Sequence, residues 1–240
     1  MMHLELPDEH VRPLPFYLAM EEWAARRLPA GDYFFIWRVA PTVICGRNQD
    51  IALEVDIDYC RREGISLCRR KSGGGCVFAD MQNWMFSYIT PGDAIRTTFA
   101  DYTAMIAWTL RTLGIDAEPS GSNDIEVGGR KISGNAFYHL PGRCIVHGTM
   151  LYDLDERHLT HALTPSRAKL ARKGVASVPQ RVTSLRALGL EMSTEDFGAY
   201  ILRHLTDGVR RIAPEEIAEI EEIQKSYFYE DNTKNTITLD

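Results

Sequence analysis

The chain has 240 residues, of which 45% are hydrophobic, so it is long enough to bury a sizeable core as one large domain or one domain with a small appendage. Its formal net charge of -6 excludes the broadly basic composition that is typical of a nucleic-acid-binding domain. Because no apolar stretch is long enough to span a bilayer and residues 1–15 lack the features of a secretory signal, we expect a cytoplasmic protein that binds neither membrane nor nucleic acid.

Helices and strands alternate in the first third of the chain. Apolar residues at helical spacing predict a helix over residues 16–28, closed by Pro29 and Gly31, and a second short helix over residues 55–63. Short apolar runs predict strands over residues 33–39, 42–45 and 65–68. Arg47 lies in the turn after the second of these strands, where both a solvated loop cation and a ligand contact remain open.

A run of three glycines follows the third strand. Residues 69–71 are basic, residues 73–75 are all glycine, and residues 76–78 begin a β-like apolar run. Because glycine lacks a Cβ, backbone N–H groups at these positions can approach a phosphate or carboxylate closely. The run matches neither a P-loop nor a dinucleotide fingerprint. We interpret it as a strand-borne anion site, here called the glycine cradle (residues 73–75), with a flexible interstrand loop as the alternative.

Two hairpins are predicted after the most clearly patterned helix, which covers residues 99–113. Glycines at 128–129 between alternating residues indicate a type I′ turn, which assigns Asp124 to the incoming strand and Lys131 to the outgoing strand. A second turn at Pro141 leads to the strand that carries His147. These polar residues therefore lie near the ends of sheet strands, where a rigid sheet can support a site.

Lys131 and His147 also have ordinary interpretations. A single strand lysine is most often a solvated edge charge, although the glycine at 134 suggests that something approaches the backbone closely there. His147 is equally compatible with a core histidine whose hydrogen bonds are satisfied. His158 and His161 lack a third ligand, so no metal site is predicted at that pair.

The chain beyond residue 152 is expected to be mostly helical. Ser193 can cap a helix, and Pro214 suits the first turn of a last helix that ends near residue 227. The apolar face of the first of these helices consists of Phe197, Ile201, Leu205 and Val209. The basic segment at 167–173 is a candidate docking surface for an acidic partner, and residues 230–240 form a polar tail.

The five cysteines do not form a recognisable framework. Their number is odd and none is in a Cys-x-x-Cys spacing, which argues against a disulfide scaffold or a structural zinc site. We interpret most of them as small buried apolar residues. The five are Cys45, Cys60, Cys68, Cys76 and Cys144.

Five ordered motifs resemble the lipoate-protein ligase A family. The motifs are Gly46-Arg-x-Gln, Arg69-Arg-x-Ser-Gly-Gly-Gly-x-Val-Phe-x-Asp, Asn123-Asp, Arg130-Lys-Ile-Ser-Gly and His147-Gly-Thr. The similarity runs from residue 16 to about residue 229. It implies an α+β fold of mixed, largely antiparallel sheets flanked by helices, like the catalytic domain of biotin and lipoyl protein ligases, which is related to class II synthetases. Residues 1–229 would form this domain.

The resemblance also implies a reaction, its cofactors and its site. Lipoate (lipoic acid) and ATP, with Mg²⁺, would give lipoyl-AMP, from which the lipoyl group passes to a lysine of an acceptor protein. Asp124 is a candidate ligand for the magnesium. ATP or the adenylate would contact Arg70, Gly73, Gly74, Gly75, Cys76, Val77, Phe78 and Lys131. Lipoate would contact Arg47, Lys131, Gly134, His147 and Gly148.

The expected acceptors are lipoyl domains of 2-oxoacid dehydrogenase E2 subunits and the glycine cleavage H protein. Many bacterial members of the family carry an additional small C-terminal domain, and this chain ends near where it would begin. We therefore expect that domain to be absent, and a separate small subunit to be a candidate partner for the adenylation step. A non-catalytic lipoate-binding or adenylate-binding subunit is the alternative in another functional class.

Relatives that transfer octanoyl groups without ATP use a cysteine nucleophile, which provides a second alternative. The two family positions for that cysteine correspond to residues 122–124 and 164–167, and neither segment contains cysteine here. Cys76, where the family commonly has alanine, and Cys144 remain as candidates. Biotin ligases share the architecture, but residues 70–75 do not match their glycine-arginine-rich ATP loop.

Overall fold

A computed structural model describes residues 1–121, 123–165 and 178–232 of the chain. The predicted docking segment at 167–173 and the end of the predicted polar tail lie outside the described residues. The strands are β1 Met2–Glu5, β2 Tyr33–Trp37, β3 Thr42–Cys45, β4 Ser66–Arg69, β5 Cys76–Ala79, β6 Trp84–Pro91, β7 Glu118–Ser120, β8 Asp124–Val127, β9 Arg130–Leu140, β10 Arg143–Met150, β11 Gly208–Arg211 and β12 Tyr229–Glu230. The helices are α1 Leu14–Arg27, α2 Ile51–Glu54, α3 Ile57–Arg62, α4 Ile95–Arg111, α5 Glu156–Ala162, α6 Val178–Arg181, α7 Thr194–Leu205 and α8 Pro214–Gln224.

The described strands form two sheets of different size. The large sheet has the order β11-β1-β2-β6-β10-β9-β8-β7, and the small sheet has the order β12-β4-β3-β5. The centre of the large sheet is antiparallel, because β10 pairs antiparallel with both β6 and β9. In the small sheet β3 pairs parallel with β4 and antiparallel with β5. The α+β fold class expected from the sequence is confirmed.

Helix α1 packs between the two sheets and is buried over nearly its whole length. Its first twelve residues are all buried, including the carboxylates of Glu21 and Glu22. A helix that is apolar on most of its faces is typically interior. One core cluster joins α1 to Phe35 of the large sheet and to Ile44 of the small sheet. The helix therefore sets the distance between the sheets.

The opposite face of the large sheet is covered by α4 and α7. Phe34 and Phe35 are neighbours on β2 and point to opposite faces, because side chains alternate along a strand. Phe34 belongs to the second core cluster, whereas Phe35 belongs to the cluster around α1. The residues that α4 and α7 contribute to the second cluster include Tyr102, Ile106, Leu110, Phe197 and Ile201.

Several local predictions are confirmed. Gly128 and Gly129 both have positive φ, as a type I′ turn requires, and the turn joins β8 to β9 as expected. Ser193 caps α7, because its hydroxyl accepts a hydrogen bond from the N–H of Asp196. Pro214 begins α8.

Three elements differ from the prediction. Val209 does not continue α7, because Thr206 is extended and the chain then pairs with β1 as strand β11. The helix expected at 55–63 is present as α3 but begins two residues later with an Asp56 cap, because Val55 is extended, and the short helix α2 before it was not predicted. At the start of the expected polar tail, Glu230 pairs with Leu67, and the buried Asn232 donates a 2.7 Å hydrogen bond from Nδ2 to the Ile65 carbonyl.

The turn at residues 80–83 is important for the site, because it carries the chain from β5 of the small sheet to β6 of the large sheet. The two sheets are therefore connected immediately after the glycine cradle. None of the helices among the described residues combines the length and apolarity that crossing a bilayer requires.

Candidate active site

A cavity of about 350 Å³ lies between the two sheets. Most of its wall is apolar, a composition typical of small-molecule sites. The apolar wall includes Leu18, Trp37, Ile44, Val77, Phe78, Met85, Leu151, Leu154, Leu159, Leu163 and Val182. The polar lining includes Arg70, Gly74, Gly75, Asn123, Lys131, Asn135, His147, Arg181, Glu54 and Asp155. Lys131 of the large sheet and the cradle of the small sheet therefore face one shared space, here called the enclosed cavity.

Arg70 organises the backbone of the glycine cradle. Its guanidinium is buried and donates to the carbonyl oxygens of Gly73, at 2.7 Å from Nη2, of Gly75, at 2.9 Å, and of Ile44, at 3.0 Å from Nη1. Burial lowers the pKa of Arg70. In a trans peptide the N–H points opposite to the preceding C=O, so these contacts turn the N–H groups of Gly74 and Cys76 away from Arg70.

Two glycine positions are required by close approach of the backbone. A Cβ built on Gly46 would overlap the carbonyl of Gly74, so no larger residue fits without moving the cradle. Gly74 itself has φ of 93°, and a Cβ there would lie 2.7 Å from Nη2 of Arg70. The cradle is thus packed against the turn after β3 and against the buried guanidinium.

Lys131 reaches the enclosed cavity from β9. Its side chain folds over Gly134, and a Cβ on that glycine would overlap the lysine amine. The Nζ atom lies 3.0 Å from Oδ1 of Asp124 on the paired strand β8. Arg181, at the end of α6, contacts Oδ2 of the same carboxylate. Two cations therefore contact one carboxylate at this end of the cavity.

Each oxygen of Asp124 lies against a cation, Oδ1 against Lys131 and Oδ2 against Arg181, so a magnesium ion bound there would displace one of them. Among residues 1–121, 123–165 and 178–232 there is no group of three His, Cys, Asp or Glu side chains that could hold a metal ion. A magnesium role for Asp124 therefore stays a prediction from the family resemblance. The geometry makes Asp124 the residue that orients Lys131 and Arg181.

A buried polar chain links α1 to the residue before the glycine cradle. Oε2 of Glu21 lies 2.7 Å from Nδ1 of His147, and Nε2 of His147 lies 2.7 Å from Oγ of Ser72. Ser87 donates to the other oxygen of Glu21. Because a carboxylate only accepts hydrogen bonds, His147 donates from Nδ1, and its Nε2 in the neutral imidazole accepts from Ser72. We call Glu21, His147 and Ser72 the polar relay.

The polar relay supports the loop rather than presenting a nucleophile. Ser72 is only 2% exposed and is not among the residues lining the enclosed cavity. Its carbonyl accepts a 3.0 Å hydrogen bond from the N–H of Arg47, so both ends of Ser72 are held. His147 does line the cavity, and it therefore connects the cavity wall with the support beneath the cradle.

Gly148 creates space for a second polar residue of the large sheet. A Cβ on Gly148 would overlap the side-chain amide of Asn135 on β9. Asn135 donates from Nδ2 to the carbonyl of Asn123 at 3.2 Å, and both asparagines line the enclosed cavity. The small residue predicted as a lipoate contact thus acts by making room for Asn135.

Arg47 and Gly73 lie on the outer side of the cradle. They line a wider, more open groove of about 1230 Å³, together with Asp124, and do not line the enclosed cavity. The two spaces are adjacent because they share wall residues. The shared residues are Gly74, Asn123, Asn135 and Ala136.

Sequence reasoning missed four residues of the site: Glu21, Asn135, Arg181 and Cys45. Glu21 belongs to the residues of α1 that the helical pattern makes polar, so its burial was not indicated by the sequence. Arg181 is far from Lys131 in sequence, and no local pattern pairs it with Asp124. Asn135 directly follows the Ile-Ser-Gly of the fourth motif, so its position next to predicted site residues could have indicated a role in the site.

The cysteines divide into two environments. Cys76 lines the enclosed cavity, and its sulfur lies 2.7 Å from that of Cys45. Burial raises the pKa of Cys60 and of Cys68 to about 12, as expected for small buried apolar residues. Cys144 is buried with its thiol against the Gly92 carbonyl and lines neither the enclosed cavity nor the open groove. Of the two cysteines considered as nucleophiles, only Cys76 faces the site.

Comparison with known proteins gives consistent results. The profile of the lipoyl protein ligase A/B catalytic domain matches residues 13–206. Lipoate-protein ligase LplJ of Bacillus subtilis (strain 168) is 37% identical over 206 residues, which cover 84% of this chain and 62% of that protein. The match therefore spans about three fifths of the length of this curated relative, and the same holds for the next.

Two solved structures from Thermoplasma acidophilum resemble the whole fold. One is a bi-partite archaeal lipoate protein ligase studied with its E2 lipoyl domain, with a TM-score of 0.81 and 26% identity, covering 94% of this chain and 92% of that chain. The other is described as a lipoate protein ligase with bound lipoic acid, with a TM-score of 0.79 and 25% identity, covering 94% of this chain and 95% of that chain.

Proposed function

Because the chain belongs to the lipoyl protein ligase A/B catalytic domain family, we propose that it is a lipoate-protein ligase. It would activate lipoate with ATP to lipoyl-AMP and transfer the lipoyl group to a lysine of an acceptor domain. The observation that carries the proposal is the shared cavity: an apolar wall suited to an acyl tail lines the same space as Lys131 and the glycine cradle.

The first step requires two anions to meet. A carboxylate oxygen of lipoate attacks the α-phosphorus of ATP, and the bond to pyrophosphate breaks. Fixed positive charge must offset the repulsion between the two anions, and such preorganised charge is often the largest contribution to catalysis. Lys131 and Arg181 both contact the Asp124 carboxylate, and this held position supports a role for Lys131 as an electrostatic clamp between the acyl carbonyl and the α-phosphate.

The glycine cradle would hold the phosphate through backbone N–H groups. Arg70 keeps the carbonyls of Gly73 and Gly75 turned inward, which favours an outward direction for the N–H groups that a phosphate needs. Arg70 would thus act on the adenylate mainly through the cradle. Phe78 and Val77 would contact the acyl or adenine portion from the apolar wall.

The second step transfers the acyl group from the adenylate. The amine of the acceptor lysine attacks the acyl carbonyl, forms an amide bond and releases AMP. The open groove next to the cradle would give this amine a route to the carbonyl, because it meets the enclosed cavity at Gly74 and Asn135. No step is assigned to magnesium at Asp124, although the ion would accompany ATP in the assay.

The partners follow from the relatives' names and stay proposals for this chain. A structural relative was studied with its E2 lipoyl domain, which supports lipoyl domains as acceptors. The glycine cleavage H protein is proposed as a further acceptor. The same relative is bi-partite, which supports a separate small subunit for adenylation. A cytoplasmic location stays a prediction.

The test uses the purified chain with a lipoyl acceptor domain in two reactions. One contains lipoate, ATP and magnesium, and the other contains preformed lipoyl-AMP; the mass of the acceptor reports transfer. Transfer in both supports a self-sufficient ligase, and transfer only from lipoyl-AMP supports a ligase that needs a partner for adenylation. Absence of transfer in both reactions by the folded chain contradicts the proposal and favours the binding-subunit alternative.

Acyl transfer through a cysteine is retained as a second candidate because Cys76 faces the enclosed cavity. In that route the thiolate would displace a carrier thiol from an octanoyl thioester, giving an acyl-enzyme before transfer to lysine. An octanoyl adduct on the enzyme, found by intact mass after mixing with an octanoylated carrier protein without ATP, supports this route. An unmodified enzyme contradicts it.

A further inference from the structure

Cys45 and Cys76 lie directly opposite each other on adjacent antiparallel strands. Cys45 ends β3, Cys76 begins β5, and the two residues are register partners. The neighbouring pair is hydrogen-bonded, because the N–H of Gly46 donates to the carbonyl of Gly75 at 3.2 Å. Hydrogen-bonded and non-hydrogen-bonded pairs alternate along an antiparallel ladder, so Cys45 and Cys76 form a non-hydrogen-bonded pair, in which side chains approach most closely.

The geometry of this pair suits a covalent bond between the sulfurs. The Sγ atoms are 2.7 Å apart, with Cys76 donating toward Cys45. Cα atoms of a non-hydrogen-bonded antiparallel pair are about 4.5 Å apart, which lies within the range that disulfides span. The strands therefore need no rearrangement to accept the bond.

The electrostatic surroundings favour a thiolate in the pair. The hydrogen bond from Cys76 lowers the pKa of Cys45, and the positive charges of Arg69 and Arg70 lower it further, against the opposing effect of burial. Arg70 forms no ion pair with a carboxylate of the described residues, so its charge acts on the neighbouring thiols without local compensation. A thiolate, rather than a thiol, is the species that oxidants attack.

Access to the pair comes from one side only. Cys76 lines the enclosed cavity and is half-buried, whereas Cys45 is fully buried behind it. This is the arrangement expected of an oxidant-reactive cysteine with a resolving partner. Cys60 and Cys68 differ, because burial raises the pKa of both thiols to about 12.

We propose that Cys45 and Cys76 are a site of reversible oxidation to a disulfide, and that a ligand in the enclosed cavity shields the pair. Hydrogen peroxide is the oxidant class. The Cys76 thiol passes its proton to the Cys45 thiolate, to which it is hydrogen-bonded, and the resulting Cys76 thiolate attacks one peroxide oxygen. The O–O bond breaks, hydroxide leaves, and a sulfenic acid forms on Cys76. The Cys45 thiol then attacks the Cys76 sulfur, the S–O bond breaks, and the departing hydroxide takes the Cys45 proton to give water. Two thiols are oxidised and one peroxide is reduced.

The disulfide would alter the site at the cradle. It ties the start of β5 to the end of β3, immediately beside Gly75 and Gly46, and it removes the Cys76 thiol from the cavity wall. Because Cys76 directly follows Gly75 and lines the enclosed cavity, a bound ligand and the disulfide act on the same wall, so ligand binding and oxidation are coupled and each opposes the other. This coupling rests on the proposed function, whereas disulfide formation itself does not.

The first experiment tests the bond without any assay of activity. The full chain, without ligand, is treated with a small excess of hydrogen peroxide, remaining thiols are alkylated, and intact mass and peptide mapping are recorded. We expect three alkylated cysteines instead of five, a Cys45–Cys76 linkage, and recovery of both thiols with dithiothreitol. A folded chain that forms no such linkage, or links other cysteines, overturns the proposal.

Matched variants separate this pair from general thiol oxidation. Cys45→Ala is expected to lose the disulfide and to accumulate oxygen adducts on Cys76, whereas Cys144→Ala is expected to form the Cys45–Cys76 bond at the wild-type rate. Cys45→Ser is the second variant if the alanine protein does not fold. A disulfide that still forms in a folded Cys45 variant overturns the assignment.

The second experiment tests shielding with a non-hydrolysable octanoyl adenylate analogue, which lacks the dithiolane of lipoate. At about ten times its Kd, roughly one tenth of the protein is unoccupied, so disulfide formation should slow about tenfold. An unchanged rate with the analogue bound overturns the shielding. If the analogue does not bind at all, the proposed function fails, while the first experiment still decides the disulfide.

Discussion

The two sheets contribute to the enclosed cavity in different ways. The large sheet supplies side chains, and two glycines on it make room for them: Gly134 for Lys131 and Gly148 for Asn135. The small sheet supplies backbone, and side chains beneath it, above all Arg70, hold that backbone in place. Glycine therefore has opposite roles on the two sides. On the large sheet it leaves space for a polar side chain, and in the cradle it is itself the proposed binding surface.

This difference predicts how each side responds to substitution. Changes on the large sheet should alter chemistry while leaving the fold intact, because the affected side chains project into the cavity. Changes on the small sheet should alter stability and ligand binding together, because the cradle is packed against Gly46 and Arg70. The polar relay and Glu22 link the site to α1. Substitutions there should therefore give a response between these two kinds.

The largest effect is expected for Lys131→Ala. Removing a preorganised charge that acts on the adenylating centre should slow lipoyl transfer by about 10² to 10³-fold. Asp124 keeps Arg181 as a partner, so the free energy of unfolding should change by less than about 1 kcal/mol. Transfer to the acceptor is measured by mass, and unfolding by urea titration. Lys225→Ala, a truncation of an exposed lysine in an ion pair with Glu222, is the matched control and should retain the rate. Wild-type turnover in Lys131→Ala would contradict the clamp.

Gly74→Ala should reduce stability and ligand binding together. Alanine in the left-handed conformation costs about 1–2 kcal/mol, and contact with Arg70 adds to it, so we expect a total loss of about 2–4 kcal/mol. Gly92→Ala is the control, since Gly92 also has positive φ but nothing lies within 4 Å of a built Cβ. It should show the conformational cost alone and normal ATP binding by calorimetry. Equal losses in both variants would mean that Arg70 does not constrain the cradle.

Glu21→Gln tests the connection between the sheets. The carboxylate accepts from His147 and Ser87, and an amide would present an N–H to one of these donors. A buried mismatch of this kind costs about 1–3 kcal/mol. We also expect faster amide hydrogen exchange at Ser72 and through the cradle. Glu195→Gln, at an exposed ion pair, is the control and should change the free energy of unfolding by less than about 0.5 kcal/mol. A Glu21→Gln protein as stable as the wild type would mean that the polar relay does not support the fold.

The smallest effect is expected for Glu22→Gln and depends on pH. Burial alone would raise the pKa of Glu22, but hydrogen bonds from Lys71 and Arg26 outweigh it and lower the pKa. A carboxyl whose pKa is lowered by folding stabilises the protein above its unfolded pKa, and this contribution is lost as the pH falls through the folded value. The free energy of unfolding of the wild type should therefore exceed that of the variant by about 1 kcal/mol at neutral pH. The difference should vanish in strong acid. A difference that instead grows as the pH falls would mean that folding raises the pKa of Glu22 rather than lowering it.

Much of the architecture was predictable because local signals and tertiary structure agree. The type I′ glycines at 128–129, the cap at Ser193 and the helix start at Pro214 are decided by backbone conformations that few residues adopt or favour. The errors lie where pairing overrides local pattern. Val209 has the apolar spacing of a helix, but pairing with β1 at the edge of the large sheet takes it into a strand.

The sequence by itself determined the chemical types at the site: a cationic lysine after a tight turn, a run of glycines after a basic run, and the absence of cysteine at the two nucleophile positions of octanoyl-transferring relatives. Only the tertiary structure decided which groups meet. Arg181 contacts Asp124, Glu21 reaches His147, and Cys45 opposes Cys76, because strand register and the packing of α1 between two sheets join residues far apart in the chain. Local sequence encodes backbone preference, whereas long-range register, which sets these contacts, is fixed only when both sheets bury their faces against the same helix.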